Sequence, residues 1–288
     1  MALLVYGMIN SVVLALYAAG FSLCYGISGL ANFAHGAFYI LSGFTAWNLM
    51  NALGLPFYLA AVFSVLITAL MGFVFYWVFL LRIRGIPLAE VIVTFAAGVG
   101  ILELLMWKGF YGMRYSLPLF MRGGVEIGSV ALDYQRVFVL VTGVALVFLL
   151  WLFVHRTKLG LAFRAMAQNE RTALSVGIES DWVGSLSLAL GSALAAVAAM
   201  VVLPLGMMES AIGLEVLIYA LAVAIVGGLE STPGMIGGSF IIGFGQVAAA
   251  RYIGANWMII VPLAAIVLVL AVKPSGIFGK HKELEERV

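Results

Sequence analysis

Nine apolar runs follow one another at residues 3–24, 36–52, 57–81, 88–107, 135–154, 182–203, 212–226, 235–250 and 255–272, with little polar chain between them. No other feature narrows the fold as much. A helix crossing a bilayer needs about 20 residues, and backbone groups facing lipid must be satisfied within their own segment. The period-2 alternation of a membrane-spanning barrel is absent, so the runs are read as helices. With 64% hydrophobic and 10% charged residues, against about 45–50% and about 25% in soluble domains, the chain has too few polar side chains to clothe a water-soluble globule. It is too apolar for disorder. The expectation is an all-α polytopic membrane protein of eight to nine spanning or half-spanning helices, forming a single domain over residues 1–288.

Three runs, 36–52, 212–226 and 235–250, are short. Fifteen helical residues cover only about 22 Å of a hydrocarbon core about 30 Å thick. These runs admit half-helices meeting at broken backbone near residues 25–36 and 226–238. The first run, Met1 to Cys24, lacks the basic start of a cleavable signal and is long enough to span. Cys24 has no partner for an intrachain disulfide and reads as a small buried hydrophobe.

The basic residues give the orientation. Arg82, Arg84, Arg156, Lys158, Arg164, Arg171, Lys273, Lys280, Lys282 and Arg287 fall on one side, and Lys108, Arg114, Arg122, Arg136 and Arg251 on the other. The first side is read as cytoplasmic. Nine crossings then put the N-terminus outside and the C-terminus inside, whereas one re-entrant segment would bring the N-terminus inside. Trp107, Trp182 and Trp257 stand at run ends, where interfacial aromatics belong. Residues 108–134, with Tyr111, Tyr115, Pro118, Gly123 and Gly124, are long enough for a small external cap. Residues 155–181 form an inside loop suited to docking.

Several chemistries are missing. The chain carries 15 basic and 13 acidic residues without an arginine-rich stripe, so no nucleic-acid partner is expected. His35, His155 and His281 lie far apart, and none has a metal-ligand partner at the usual spacing. There is no GxSxG elbow and no phosphate-binding loop, because GIFGK lacks both the distant first Gly and the following Ser or Thr. No catalytic, cofactor or metal site is therefore expected. Glu103 and Glu215 are the only carboxylates well inside runs and are read as snorkelling or pairing near an interface. The energy for any transport must come from elsewhere.

Four segments stand out. In YGISGLANFAHG, residues 25–36, Asn32, His35 and Gly36 bring polar and flexible chain to membrane depth. Such backbone survives there only where protein buries it or where it lines a wet cavity. In VGGLESTPGMIGG, residues 226–238, Gly227 and Gly228 end one run, and Ser231, Thr232 and Pro233 open the next as a capped helix start. Gly234, Gly238, Ser239 and Gly243 give a small-residue face for close packing. Gly191 and Ala195 give another on the run 182–203, whose neighbour could be in this chain or a second one. From Gly160, the run GLAFRAMAQNERTALSVGI reads as one short helix stopped by Gly177. KPSGIFGK closes the last run with a turn and a basic tail.

Taken in order, these segments resemble the permease family of branched-chain amino-acid ABC importers. The resemblance is carried by NFAHG at Asn32–Gly36, RAMAQNERTALSVGI at Arg164–Ile178, GG…S.PG…GG at Gly227–Gly238, and SGIFGK at Ser275–Lys280. It implies an inner-membrane, multi-pass subunit with a cytoplasmic C-terminus and no ATPase activity of its own. Its implied partners are two cytoplasmic ABC ATPases, a second related permease or a second copy of the chain, an extracytoplasmic solute-binding protein, and membrane lipid. The implied cargo is branched-chain or other hydrophobic amino acids, with urea, short amides or similar small solutes as the alternative within the family. By position, Arg164, Gln168, Glu170, Arg171, Ala173 and Gly177 would belong to the helix that docks on an ATPase. In this reading Ala173 and Gly177 supply the small face, while Arg164, Glu170 and Arg171 stand at its rim. Asn32, His35, Gly36, Gly227, Gly228, Ser231, Pro233 and Gly234 would flank the translocation route. The rival of another class is a stand-alone channel or ion-coupled carrier.

Overall fold

A computed structural model describes residues 1–110, 115–127 and 130–279. Tyr111 and Arg114 of the external loop, and Lys280, His281, Lys282 and Arg287 of the tail, lie outside the described residues. Each of the nine apolar runs is helical: α1 (Ala2–Ser28), α2 (His35–Leu53), α3 (Phe57–Phe75), α4 (Pro87–Leu105), α5 (Tyr134–Arg156), α8 (Ser180–Val202), α9 (Ala211–Gly227), α10 (Thr232–Tyr252) and α11 (Ile260–Val272). Two short helices, α6 (Lys158–Gln168) and α7 (Glu170–Ser175), lie between α5 and α8. A hairpin of β1 (Gly124–Ile127) and β2 (Val130–Asp133) precedes α5. The last turns of α3 and α4 widen into π-helix over Tyr76–Leu80 and Met106–Phe110.

The spanning helices alternate between two ends of the bundle. At the hairpin end, the Tyr6 hydroxyl donates to the Ala131 carbonyl and Tyr115 bridges to Met208. Phe120 packs there between Phe57 and Phe138, and Gln135 accepts from the Phe120 N–H while donating to the Val201 carbonyl. The opposite end carries α6, α7, the Glu230 turn and residues 273–279. There the Ile277 and Phe278 N–H groups bond to the Val226 and Gly227 carbonyls. The first and last described residues therefore lie at opposite ends.

Among the described residues, seven helices are long and apolar enough to cross a membrane by themselves. The remaining two crossings depend on their surroundings. α2 carries His35, Asn48 and Asn51 and is enclosed along its first three turns, and α9 has 17 residues. The short run at 235–250 is no half-helix. α10 extends it at both ends to 21 residues, because Ser231 caps its start and it continues through Arg251 and Tyr252.

Lipid tails are as apolar as leucine, so helices in a bilayer associate mainly through close packing and hydrogen bonds. Glycine supplies the close approach here. A Cβ at Gly20 would meet the Gly191 carbonyl of α8 at 2.3 Å, and one at Gly36 would meet the Gly213 carbonyl of α9 at 1.8 Å. The small face of α8 thus finds its neighbour within the same chain, and Ala195 is fully enclosed beside it. The small face of α10 is spent in the same way: Gly234 lies on Gly227, Gly238 on the Val223 carbonyl and Gly243 on Ser11 of α1. α1 is hydrophobic all round and occupies the centre, touching α5, α8, α9 and α10.

Candidate functional site

The link 29–34 turns back into the bundle. The α1 C-terminus closes on Gly29, whose φ of 67° is the left-handed conformation that glycine tolerates best. Beyond it, His35 Nε2 lies 2.8 Å from the Tyr17 carbonyl, eleven residues or about 16 Å before the end of α1. A carbonyl only accepts, so Nε2 carries the proton. The link's polar groups are largely met by protein. Thr94 Oγ1 accepts from the Phe33 N–H, Asn32 Oδ1 accepts from the Ala34 N–H, and the Asn32 carbonyl accepts from the His35 N–H. Asn32 and His35 are each 1% exposed. Both are enclosed by this chain, and Asn32 closes the turn that precedes α2.

The second break has a similar build. Gly228, with φ 105°, ends α9 and packs against Ser275 and Gly279. Ser231 Oγ accepts from the Gly234 N–H at 3.0 Å, with Pro233 in the first turn, as the Ser-Thr-Pro sequence predicts. A Cβ at Gly227 or Gly234 would fall 2.1 Å from the other's carbonyl oxygen. The two breaks meet at the α6–α7 end, where Gly26 faces the Glu230 backbone.

The expected single helix from Gly160 to Gly177 is two. Thr157 caps α6 by accepting from the Gly160 N–H. At Asn169 the backbone extends, with φ −159° and ψ 108°, and the side chain accepts from the Thr172 N–H at 3.0 Å to start α7. Asparagine bonds to nearby backbone in this way and favours a cap over a helix interior. α7 then closes on Gly177 with φ 84°: the Ile178 N–H bonds to the Ala173 carbonyl and the Gly177 N–H to the Leu174 carbonyl. That pair of bonds is the Schellman stop. The Ala-xxx-Gly spacing therefore places Ala173 at the third residue from the end of α7, with its side chain buried against Ile27, Phe163, Met166 and Val183. The exposed apolar side chains of α7 and its exit are Leu174 and Val176.

A cavity of about 480 Å³ opens between this helix pair and the bundle, lined in part by Ser28, Arg84, Glu90, Gln168, Arg171 and Glu230. Arg84 organises its wall. Its guanidinium pairs with Glu170 of α7 and Asp181 of α8 and donates to Ser180 Oγ at 2.7 Å. Burial works against the Arg84 charge, but Tyr76, Glu170 and Asp181 outweigh it and hold the guanidinium above its ordinary pKa. Gln168, Glu170 and Arg171 thus share one cavity, whereas Ala173 lies behind it and Gly177 at the helix exit. Asn32, His35, Gly36, Gly227, Gly228, Ser231, Pro233 and Gly234 do not line it. Sequence reasoning used Arg84 only as an orientation charge, since its partners stand 86 and 97 residues away.

Glu103 lies two turns before the end of the α4 continuation at Phe110. Glu215 stands twelve residues before the end of α9, and Gly213 beside it packs on Gly36, next to the buried His35.

Nine apolar helices, two backbone breaks packed on glycine, and a polar cavity under a short helix pair have the build of a transport permease. The chain belongs to the family described as branched-chain amino acid transport system / permease component, whose profile matches residues 3–270. It is 30% identical to the high-affinity branched-chain amino acid transport system permease protein BraD of Pseudomonas aeruginosa, over 96% of this chain and 95% of that protein. It is 28% identical to LivH of Escherichia coli, over 92% and 91% of the two chains. It is 25% identical to a probable LivH of Methanocaldococcus jannaschii, over 94% and 90%. The solved structure of PsaBC from Streptococcus pneumoniae in complex with Fab shares the fold, with a TM-score of 0.51 at 15% identity over 96% of this chain and 93% of that one. The chain is the permease subunit of an ABC importer.

Proposed function

We propose that this permease carries branched-chain amino acids into the cell across the inner membrane. The observation that carries the reading is the family profile spanning residues 3–270, which takes in all nine crossings. In this reading the α6–α7 end faces the cytoplasm. It holds Arg82, Arg84, Arg156, Lys158, Arg164, Arg171 and Lys273, against Lys108, Arg122, Arg136 and Arg251 at the hairpin end, as the positive-inside rule requires. The C-terminal tail is then cytoplasmic, and a solute-binding protein delivers cargo at the hairpin end.

Two ATPase subunits hydrolyse ATP outside this chain, and a second related permease completes the pore. α6 and α7 form the coupling element, with Arg164, Gln168, Glu170, Arg171 and Gly177 at or near the contact. Ala173 seats α7 on the bundle, while Leu174 and Val176 offer the apolar contact that extramembrane exposure otherwise leaves unexplained. Arg84 transmits α7 motion to α8 through Glu170 and Asp181. Asn32, His35, Gly36, Gly227, Gly228, Ser231, Pro233 and Gly234 flank the route as the packed breaks about which its walls move.

The test is co-purification and uptake with the ATPases encoded beside this gene. Val176→Asp places a charge in the contact without disturbing the buried face of α7. It should detach the ATPases and abolish leucine uptake at unchanged membrane levels of the chain. An intact complex with full uptake would remove α7 as the docking element. Inhibition of leucine uptake by isoleucine and valine, but not by urea or acetamide, supports the cargo; the reverse pattern refutes it.

A further inference from the structure

We propose that Glu215, together with Tyr219 and Tyr17, forms a mid-membrane station for the ammonium group of a zwitterionic cargo. The inference rests on the amino-acid reading above and adds a site within the route.

Depth is the first observation. Glu215 lies twelve residues, about 18 Å, from the end of α9 at Gly227. Gly213, half a turn away, packs on Gly36, whose neighbour His35 bonds to the Tyr17 carbonyl eleven residues or about 16 Å from the end of α1. Both measures place the carboxylate in the middle third of a hydrocarbon core about 30 Å thick. The irregular segment 206–210 leads into α9 from the hairpin end, where Met208 bridges to Tyr115.

Exposure is the second. Glu215 is exposed on the single chain, and among the described residues no hydrogen bond or ion pair engages its carboxylate. A charged side chain at this depth does not face lipid; it faces a wet cavity or another protein surface. Among the described residues, the basic side chains stand at the two ends of the bundle. His35 gives its Nε2 proton to the Tyr17 carbonyl.

Surroundings are the third. Tyr219 is one turn along the same face of α9 from Glu215, and its ring stacks on that of Tyr17 at 6.4 Å with the planes 8° apart. Tyr17 in turn meets Tyr39 edge-on at 5.4 Å. Nearby in the chain's fold, Gln246 of α10 accepts from Asn10 Nδ2 of α1 at 2.8 Å and donates to the Met258 carbonyl, tying α10 to α1. A carboxylate beside aromatic faces is a receptor for an ammonium ion, by ion pairing and cation–π attraction together. Leu214 and Ile218, on the same uncovered side of α9, suit the apolar side chain of such a cargo. A neutral amide has no ammonium to offer this station.

The test uses the complete importer, with ATPases, second permease and binding protein, in proteoliposomes. Glu215→Gln keeps the shape and removes the charge. It should lower ATP-driven leucine uptake by about tenfold, the loss of one good charge-assisted contact, in a complex that still purifies with all its subunits. Glu215→Asp should recover part of that loss. Full uptake by Glu215→Gln would overturn the proposal. Loss of the second permease from the Glu215→Gln complex would overturn it too, because the carboxylate would then be held by a cation of the partner. A wild-type importer that moves acetamide but no leucine would fail at the cargo reading itself, and the station would fall with it.

Discussion

Replacing Gly36 with alanine tests the packing of α2 on α9 beside the first break. The added Cβ would lie 1.8 Å from the Gly213 carbonyl oxygen, where real contacts of this kind stay above 3.0 Å. The α2 and α9 backbones must therefore separate by about 1.2 Å at their crossing, and neither atom belongs to a side chain that can swing away. Overpacking costs about 1–3 kcal/mol, and a backbone clash belongs at the upper end of that range. Alanine's better helix propensity returns up to about 1 kcal/mol, leaving a loss of about 2 kcal/mol. At about 2–4 °C per kcal/mol for a chain this large, the midpoint should fall by about 4–8 °C. Tryptophan fluorescence during heating of the purified protein in detergent measures it. Gly100→Ala is the matched control, because its Cβ would meet nothing within 4 Å; its midpoint should stay level or rise. Equal midpoints for Gly36→Ala and the parent would refute the argument that backbone contact fixes this crossing.

Gly177→Ala should destabilise the α7 exit by about 1–2 kcal/mol, because a φ of 84° is unfavourable for an L side chain; hydrogen exchange at Gly177 and Ile178 should accelerate, and unchanged protection would contradict the Schellman stop. Arg84→Ala removes two partly exposed ion pairs, each contributing up to about 1 kcal/mol, and exchange should rise in α7 with ATP-driven uptake reduced. Unaltered exchange in 170–175 would remove Arg84 as the link between α7 and α8.

The apolar runs made the nine crossings legible, and local chemistry marked several of their ends. Ser231 and Pro233 open α10 and Gly177 closes α7 where their residue types predict. The break at Asn169 was also written locally, as an asparagine followed by a glutamate, but the surrounding alanines and leucines favour helix on both sides and hid it. Other features depend on residues distant in sequence. Whether Gly191 meets this chain or another is settled by Gly20, 171 positions away. The enclosure of Asn32 and His35 depends on Tyr17 and Thr94. The depth of Glu215 was invisible because the run 212–226 starts only three residues before it, whereas the packing of Gly213 on Gly36 comes from a residue 177 positions away. The Arg84 cluster joins three separate loops and helix starts, which no local pattern connects.

The central claim is that this chain forms a passage driven by separate ATPases. Leucine flux into sealed proteoliposomes tests it most directly, comparing this chain alone, the two permeases together, and the complete importer with and without ATP. The account predicts uptake against a gradient only for the complete importer with ATP and binding protein present. Sustained leucine flux through this chain alone, without ATP, would contradict it.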